Sequence, residues 1–387
     1  MTGYSTVGIV AEYDPFHNGH ERQILLAKEK TGAKYVAAVI SCSFSQRGSL
    51  HTFSNKDRAE MALLSGADIV LGLPFSFGTA QANRFALGGV YALSQLKAID
   101  TLCFGVEEKL LPYFNKAEKA IQNPLYLKLL EQYLKQGHSV AKAQGLALTK
   151  MLNIKDSSIL NAPNFILGLC YIEALKKLKS DIKPLAVPRP ESYIKSKNPK
   201  APSASVIRRQ MLQGDWRHSA LALPETSLKI AKQAFLKGNY AKPQALDNFV
   251  LGKILSLDLD SLLNTPEISE GLENRFLSGA KSTNNIKELI IHIKTKRYTY
   301  SRLQRALAYI AVGTKKQELP EVPQFVRLLG FRKSSEELFK SFSKNIKIIG
   351  RPAKESLPRE DIYADMLWQL AAGQEAAKIY TEPIVII

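Results

Sequence analysis

The chain has few cysteines, few acidic residues and no long apolar run. Its 387 residues include three cysteines, Cys42, Cys103 and Cys170, an odd number with no Cys-x-x-Cys pair. That argues against a disulfide framework and fits a reducing cytoplasm, with the thiols acting as small buried hydrophobes. No stretch approaches the roughly 18–20 apolar residues of a membrane span, and the N-terminus enters a strand pattern without signal-peptide organisation. No membrane association is expected. His51, His138, His218 and His292 form no complete zinc-ligand spacing with the cysteines, so no metal site is assigned. There is no repeat period or low-complexity tract, and no feature calls for an obligate protein partner.

The charge imbalance is informative in the other direction. Fifty-three Lys and Arg face 35 Asp and Glu, a formal net charge of +18. Such an excess suits a polyanionic partner and would steer it electrostatically. Hydrophobic residues make up 45% and charged residues 23%, a globular balance. The length exceeds one ordinary core and favours division into two or three units. Composition and pattern place the division near residue 215, giving 1–215 as an α/β domain and 216–387 as a mainly helical, basic region.

Strands and helices alternate in the first half. Val7 to Ala11 is an apolar run of the kind found in a strand buried on both faces of a parallel sheet. Pro15 interrupts it, and a helical pattern resumes with Ile24, Leu25 and Ala27. Further strands are predicted at Tyr35–Ser41, Asp68–Leu73, Thr101–Gly105 and Ile182–Val187. Helices are predicted from a cap at Asn55 and over Gln81–Leu96. This alternation predicts a doubly wound, Rossmann-like parallel sheet, whose ligand edge lies at the strand carboxyl ends. In the second half, helical patterns give way to predicted strands at Phe325–Phe331 and Ile346–Ile349 around a helix at Ser335–Phe342, a small mixed α+β module.

The turn after the first strand reads Pro15-Phe16-His17-Asn18-Gly19-His20. A helix N-terminus offers unpaired N–H groups and partial positive charge, a ready site for phosphate oxygens. Gly19 lets the backbone approach a ligand closely, and imidazoles three residues apart share one face of the first turn. Taken alone, His-x-x-His would more often be a surface turn or part of a metal site. A preceding strand and Pro, a Gly at the third position and a following helix instead resemble the HxGH nucleotidyltransferase superfamily, a HUP-type fold. Further on, Ser203-Ala204-Ser205-Val206-Ile207-Arg208 opens a helix, where N–H groups, a hydroxyl at Ser205 and the Arg208 guanidinium suit a second phosphate site. Arg189, in the rigid Pro188-Arg189-Pro190 exit from the strand at Ile182–Val187, would face the same edge.

Between Lys281 and Arg305, seven basic residues face one acid, Glu288, with Tyr298 and Tyr300 interleaved. Lys294, Lys296, Arg297, Arg302 and Arg305 are the candidate RNA-binding residues of this stretch, because cations neutralise phosphates and tyrosines stack on unpaired bases. A solvated amphipathic helix face is the plainer reading.

A wider resemblance rests on an ordered set of motifs: Glu12-Tyr13-Asp14-Pro15-Phe16-His17-Asn18-Gly19-His20, Gln46-Arg47-Gly48, Arg58-Ala59-Glu60-Met61, Phe104-Gly105-x-Glu107, Pro163-Asn164-x-Ile166-Leu167-Gly168 and Ser203-Ala204-Ser205-x-Ile207-Arg208. Together they resemble the bacterial tRNA(Met) cytidine acetate ligase family across most of the chain. The resemblance implies an ATP-dependent ligase. ATP and acetate would form acetyl-adenylate, and the acetyl group would pass to N4 of the wobble cytidine of elongator tRNA(Met), giving N4-acetylcytidine. It also implies Mg2+ with the ATP and catalytic roles for His17 and His20. The ATP segment would comprise Val10, Ala11, Glu12, Tyr13, Asp14, Pro15, Phe16, His17, Asn18, Gly19, His20, Glu21, Arg22 and Gln23, with Gly105, Asn164 and Arg189 completing the pocket. Asp14, Asn83 and Val106 depart from the family pattern, and a carboxylate at 14 should repel a triphosphate unless a cation intervenes. Alternatives are a small-molecule adenylyltransferase, against which the long basic C-terminal region counts, and a non-catalytic RNA-binding protein. An aminoacyl-tRNA synthetase fits least, since Lys195-Ser196-Lys197 is only a faint echo of its KMSKS signature.

Overall fold

Thr6–Ala11 carries no charge and is covered on both faces, which makes it the central strand, β1, of an eight-stranded sheet. The computed structural model describes residues 5–138, 140–153, 162–189, 202–269, 271–295, 297–352 and 357–387. After β1 come α1 (Asn18–Thr31), β2 (Tyr35–Ser41), α2 (Asn55–Leu64), β3 (Ile69–Leu73), α3 (Phe75–Gly78), α4 (Ala82–Ser94) and β4 (Ile99–Glu107). Next are α5 (Leu111–Ala120), α6 (Pro124–Lys135), α7 (Val140–Met151), α8 (Pro163–Lys177) and β5 (Lys183–Arg189). The strands run in the order β5-β4-β1-β2-β3, all parallel. β2 and β4 therefore flank β1 on opposite sides, and the carboxyl end of β1 faces the crevice where the strand order reverses.

Alternation along the strands divides the core. Val7 and Ile9 point with Val36 and Ala38 toward α1 and α2, whereas Val10 points with Val39 and Leu71 toward α4 and α8. A third core joins the later helices Asp247–Ser256, Leu272–Ser282, Ile286–Ile293 and Tyr300–Val312.

Two expectations need correction. The cap of α2 is Ser54, whose side chain accepts from the Asp57 N–H at 2.9 Å; Asn55 lies one residue inside the helix. The strands assigned to a small mixed module extend the main sheet instead. β6 (Phe325–Phe331) pairs antiparallel with β3, and β7 (Lys347–Ile349) and β8 (Val385–Ile386) pair with β6. The open edge of β3 presents a row of unpaired N–H and C=O groups, and β6 satisfies them. The expected helix between them is 3-10, over Lys333–Ser341.

Candidate active site

The β1–α1 turn is held by its own histidines. His17 is the N-cap of α1 in extended geometry, and its Nδ1 accepts from the Gly19 N–H at 3.0 Å. In return, His20 Nδ1 accepts from the His17 N–H at 3.2 Å. This is a capping box in which two imidazoles replace the usual Ser and Glu. The rings stack with centroids 3.7 Å apart and planes 17° from parallel. Tyr13 and Phe16, both buried, pack on His20 from the core side.

Burial, followed by the positive charges of Arg189 and Arg208, lowers the His17 pKa to about 3. Burial and then His17 and Arg189 push His20 well below its ordinary value as well. Both rings are therefore neutral near pH 7. Since each Nδ1 accepts from a backbone N–H, the hydrogen bonds assign the ring proton to Nε2 in each case. The pair thus consists of N–H donors at the positive end of a helix rather than cations.

Asp14 does not threaten an incoming phosphate. Its carboxylate is buried and accepts from the Thr52 N–H at 2.9 Å and the Phe53 N–H at 3.1 Å. His51 Nδ1 lies 3.4 Å and Arg208 Nη1 3.6 Å from Oδ2. Burial opposes ionisation, but the His51 hydrogen bond and the Arg208 and Arg58 charges outweigh it and hold Asp14 well below the carboxylate range. Arg208 also donates to the Asp14 carbonyl, so the Ala204–Leu212 helix is tied to the turn. Ser205 is exposed at the start of that helix, its hydroxyl 3.0 Å from that of Ser203.

The ends of β4 and β5 complete the edge. Gly105 pairs with Val187 and Glu107 with Arg189. Gly19, Arg22, Gln23, Gly105, Pro188 and Arg189 line one cleft, and Gln23 is held by the Cys103 carbonyl at 3.2 Å. A Cβ on Gly105 would make only ordinary contact with Arg189, 3.6 Å away, so no neighbouring protein atom demands glycine there. The bare backbone keeps the cleft open. Asn164 is not among the residues that line it; its Nδ2 donates to Glu107 at 2.8 Å. Val10, Pro15 and Phe16 are buried, Glu12 accepts from the Gln46 N–H at 2.7 Å, and Asn18 donates to the Leu221 carbonyl at 3.1 Å. Ala11 and Glu21 are half-buried, and Arg22 is exposed.

A family model described as HIGH Nucleotidyl Transferase matches residues 4–382. The chain is 35% identical over 382 residues to the tRNA(Met) cytidine acetate ligase of Thermoanaerobacter sp. (strain X514), covering 94% of this chain and 95% of the relative. The chain belongs to the tRNA(Met) cytidine acetate ligase family. The enzyme of that name from Clostridium perfringens (strain ATCC 13124) is 34% identical over 93% of this chain and 94% of its own length. A crystal structure of Thermotoga maritima TmcAL bound with alpha-thio ATP is 27% identical, covers 99% of both chains and superposes with a TM-score of 0.88. The apo form of the same protein gives 0.89, also at 27% identity and 99% coverage of each chain.

The departures from the pattern of this ligase family have local explanations. Val106 is wholly buried in the core on the far side of β4 from the cleft. Asn83 is exposed and accepts from its neighbour's N–H at 2.8 Å. The expected basic stripe is narrowed. Arg305 is buried in an ion pair with Glu267 at 2.8 Å, and Arg302 donates to the Glu267 carbonyl at 2.9 Å and to Ser269 at 2.7 Å. Both guanidiniums therefore hold the helical region together. Tyr298 is buried and cannot stack on a base, whereas Tyr300, Lys294 and Arg297 are exposed. Lys296 and Lys195-Ser196-Lys197 lie outside the described residues.

Two residues that organise the site were not assigned to it from sequence. Arg58 is completely buried and donates to the carbonyls of Glu12, Ser41 and Cys42 and to Asn55, joining the carboxyl ends of β1 and β2. An arginine on the apolar side of the α2 pattern was the available signal. Glu107 caps α8 from another element, and nothing local to it points there.

Proposed function

We propose that ATP and acetate react in this cleft to give acetyl-adenylate and pyrophosphate, and that the acetyl group then passes to N4 of the wobble cytidine of elongator tRNA(Met). The observation that carries the reading is the stacked, neutral His17–His20 pair at the start of α1, with the Arg189 and Arg208 charges acting on it. An acetate oxygen attacks the α-phosphorus and the bond to the β-phosphate oxygen breaks. Charge building on the α-phosphate oxygens meets Nε2–H donors and the helix N-terminus, already oriented before reaction. Arg189 and Arg208 take up the pyrophosphate. The cytidine amine next attacks the acetyl carbonyl of the mixed anhydride, losing a proton, and AMP leaves with the bridging oxygen. No covalent enzyme intermediate is required, and proximity supplies much of the rate.

Mg2+, if held by the oxygens of the triphosphate itself, would supply charge screening there. Residues 1–215 form the ATP-binding catalytic part, and 216–387 present basic surface, including Lys294 and Arg297, to the RNA.

ATP–pyrophosphate exchange tests this reading, with acetate, other short carboxylates, nicotinamide mononucleotide and phosphopantetheine compared, and His17→Ala as control. Acetate-dependent exchange that disappears in the variant is the expected result. Exchange only with a nucleotide or phosphopantetheine would replace the ligase by a small-molecule adenylyltransferase.

A further inference from the structure

A second cleft opens on the α4 side of the sheet. It holds about 690 Å³ and lies between α4 and α8 on one wall and residues between 266 and 321 on the other. Ala80 and Gln81, which lead into α4, form part of its lining. Gln46 links it to the end of β1: its N–H donates to Glu12 at 2.7 Å and its side-chain amide to the Ala80 carbonyl at 2.5 Å. The carboxyl end of β1 thus has the His17–His20 turn on its α1 side and this cleft on its α4 side.

The chemistry of this cleft differs from that of the phosphate end. Arg84, Lys177 and Lys316 are matched by Glu173, Glu267 and Glu321, so no excess of positive charge draws in a triphosphate. Exposed amides at Gln81 and Asn83 add both donors and acceptors. An uncharged ring edged with donors and acceptors, a nucleobase, matches such a lining, and the volume falls within the range of small-ligand pockets. The far wall belongs to the region that carries Lys294 and Arg297. It is tied to the start of α4 at Glu267, which accepts from Gln81 at 3.2 Å and from Arg305 at 2.8 Å. Glu267 stands at φ +69°, a left-handed geometry that a non-glycine residue keeps where its surroundings hold it.

We propose that this cleft seats the acceptor cytosine, turned out of its RNA loop, so that the amine reaches the acetyl carbon from the α4 side of β1 while the phosphates stay on the α1 side. The proposal rests on the ligase reading above and deepens it by giving the base a seat apart from the nucleotide. Asn83→Trp tests it by filling the cleft from an exposed position in the first turn of α4. Acetate-dependent ATP–pyrophosphate exchange should stay within about twofold of the wild type, while acetyl transfer to the tRNA falls roughly 10²-fold. Affinity for the tRNA should fall by less than about tenfold, because phosphate contacts elsewhere dominate it. Lys177→Trp repeats the block from α8 and decides the matter if the first variant does not fold. Transfer at the wild-type rate in a variant that keeps exchange would overturn the proposal. So would loss of exchange together with transfer in a folded variant, which would give the cleft to ATP or acetate. A loss of affinity equal to the loss of transfer would give it to the RNA backbone and overturn the proposal as well. Absence of exchange in the wild type would remove the ligase reading itself, and the proposal with it.

Discussion

The imidazole of His17 lies flat on that of His20, 3.7 Å between centroids, and each ring's Nδ1 is taken by a backbone N–H of the same turn. Neither ring can be removed without loosening the other. His17→Ala and His20→Ala should each lower acetate-dependent exchange by roughly 10²–10³-fold, and the double variant should be little worse than either single one. Multiplicative losses in the double variant would show two independent donors instead.

Asp14 should matter to folding rather than to phosphate charge. Asp14→Ala leaves the Thr52 and Phe53 N–H groups without their acceptor and takes the carboxylate from beside Arg208, and should cost about 3 kcal/mol of unfolding free energy. Asp14→Asn keeps an acceptor oxygen, should cost less and should retain exchange. Denaturant melts of the two variants check the order.

Acid should weaken the fold through buried neutral histidine. The folded-state pKa of His17 is lowered from 6.5 to about 3, so its contribution is fully present above pH 6.5 and is lost as pH falls from 6.5 toward 3. His51, lowered by burial and then by Arg58, acts in the same direction. Each such group adds a slope of at most about 1.4 kcal/mol per pH unit in that window. Thermal melts between pH 4 and 7 should show a flatter profile for His17→Asn, since Asn is also a good cap.

Gly48 should not tolerate a side chain. Its φ is +89°, and a Cβ would lie 2.6 Å from backbone atoms of Gln304 and Arg305. Gly48→Ala should lower stability by about 1–3 kcal/mol and loosen the Gln46 turn that Glu12 holds. A fall in melting temperature with reduced exchange checks it.

The basic residues around position 300 should divide into two groups. Lys294→Ala and Arg297→Ala should each weaken tRNA binding and flatten its log–log salt dependence by about 0.7–0.9. Arg305→Ala should cost about 1–3 kcal/mol of stability by removing the ion pair on Glu267 Oε1, while Gln81 and Arg302 stay beside Oε2. At low temperature, where it is still folded, its salt slope should match that of the wild type.

What could be read from the sequence follows the range of the interactions. β1, β2 and the HxGH turn were legible because an uncharged run, a proline and a helical period are local signals. Ser54 and Asn55 are both good caps, and the pattern alone did not separate neighbours. The burial of Tyr298 and Arg305 was hidden because Glu267, which holds the arginine, lies 38 residues away. The role of Asp14 depends on Thr52, Phe53 and Arg208, the last 194 residues on. β6 read as a strand, but nothing in Phe325–Phe331 names β3 as its partner.

That pairing also sets the order in which the molecule becomes complete as it is synthesised. Val70 meets Gly330, and Gly330 meets Val385. A nascent chain that has emerged only as far as the Tyr300–Val312 helix already holds every residue lining the nucleotide cleft, yet β3 still presents a bare edge with Ile69, Val70 and Leu71, all fully buried in the finished sheet. Until β6 arrives, that edge is a template for any other extended chain, so premature termination yields a species prone to self-association.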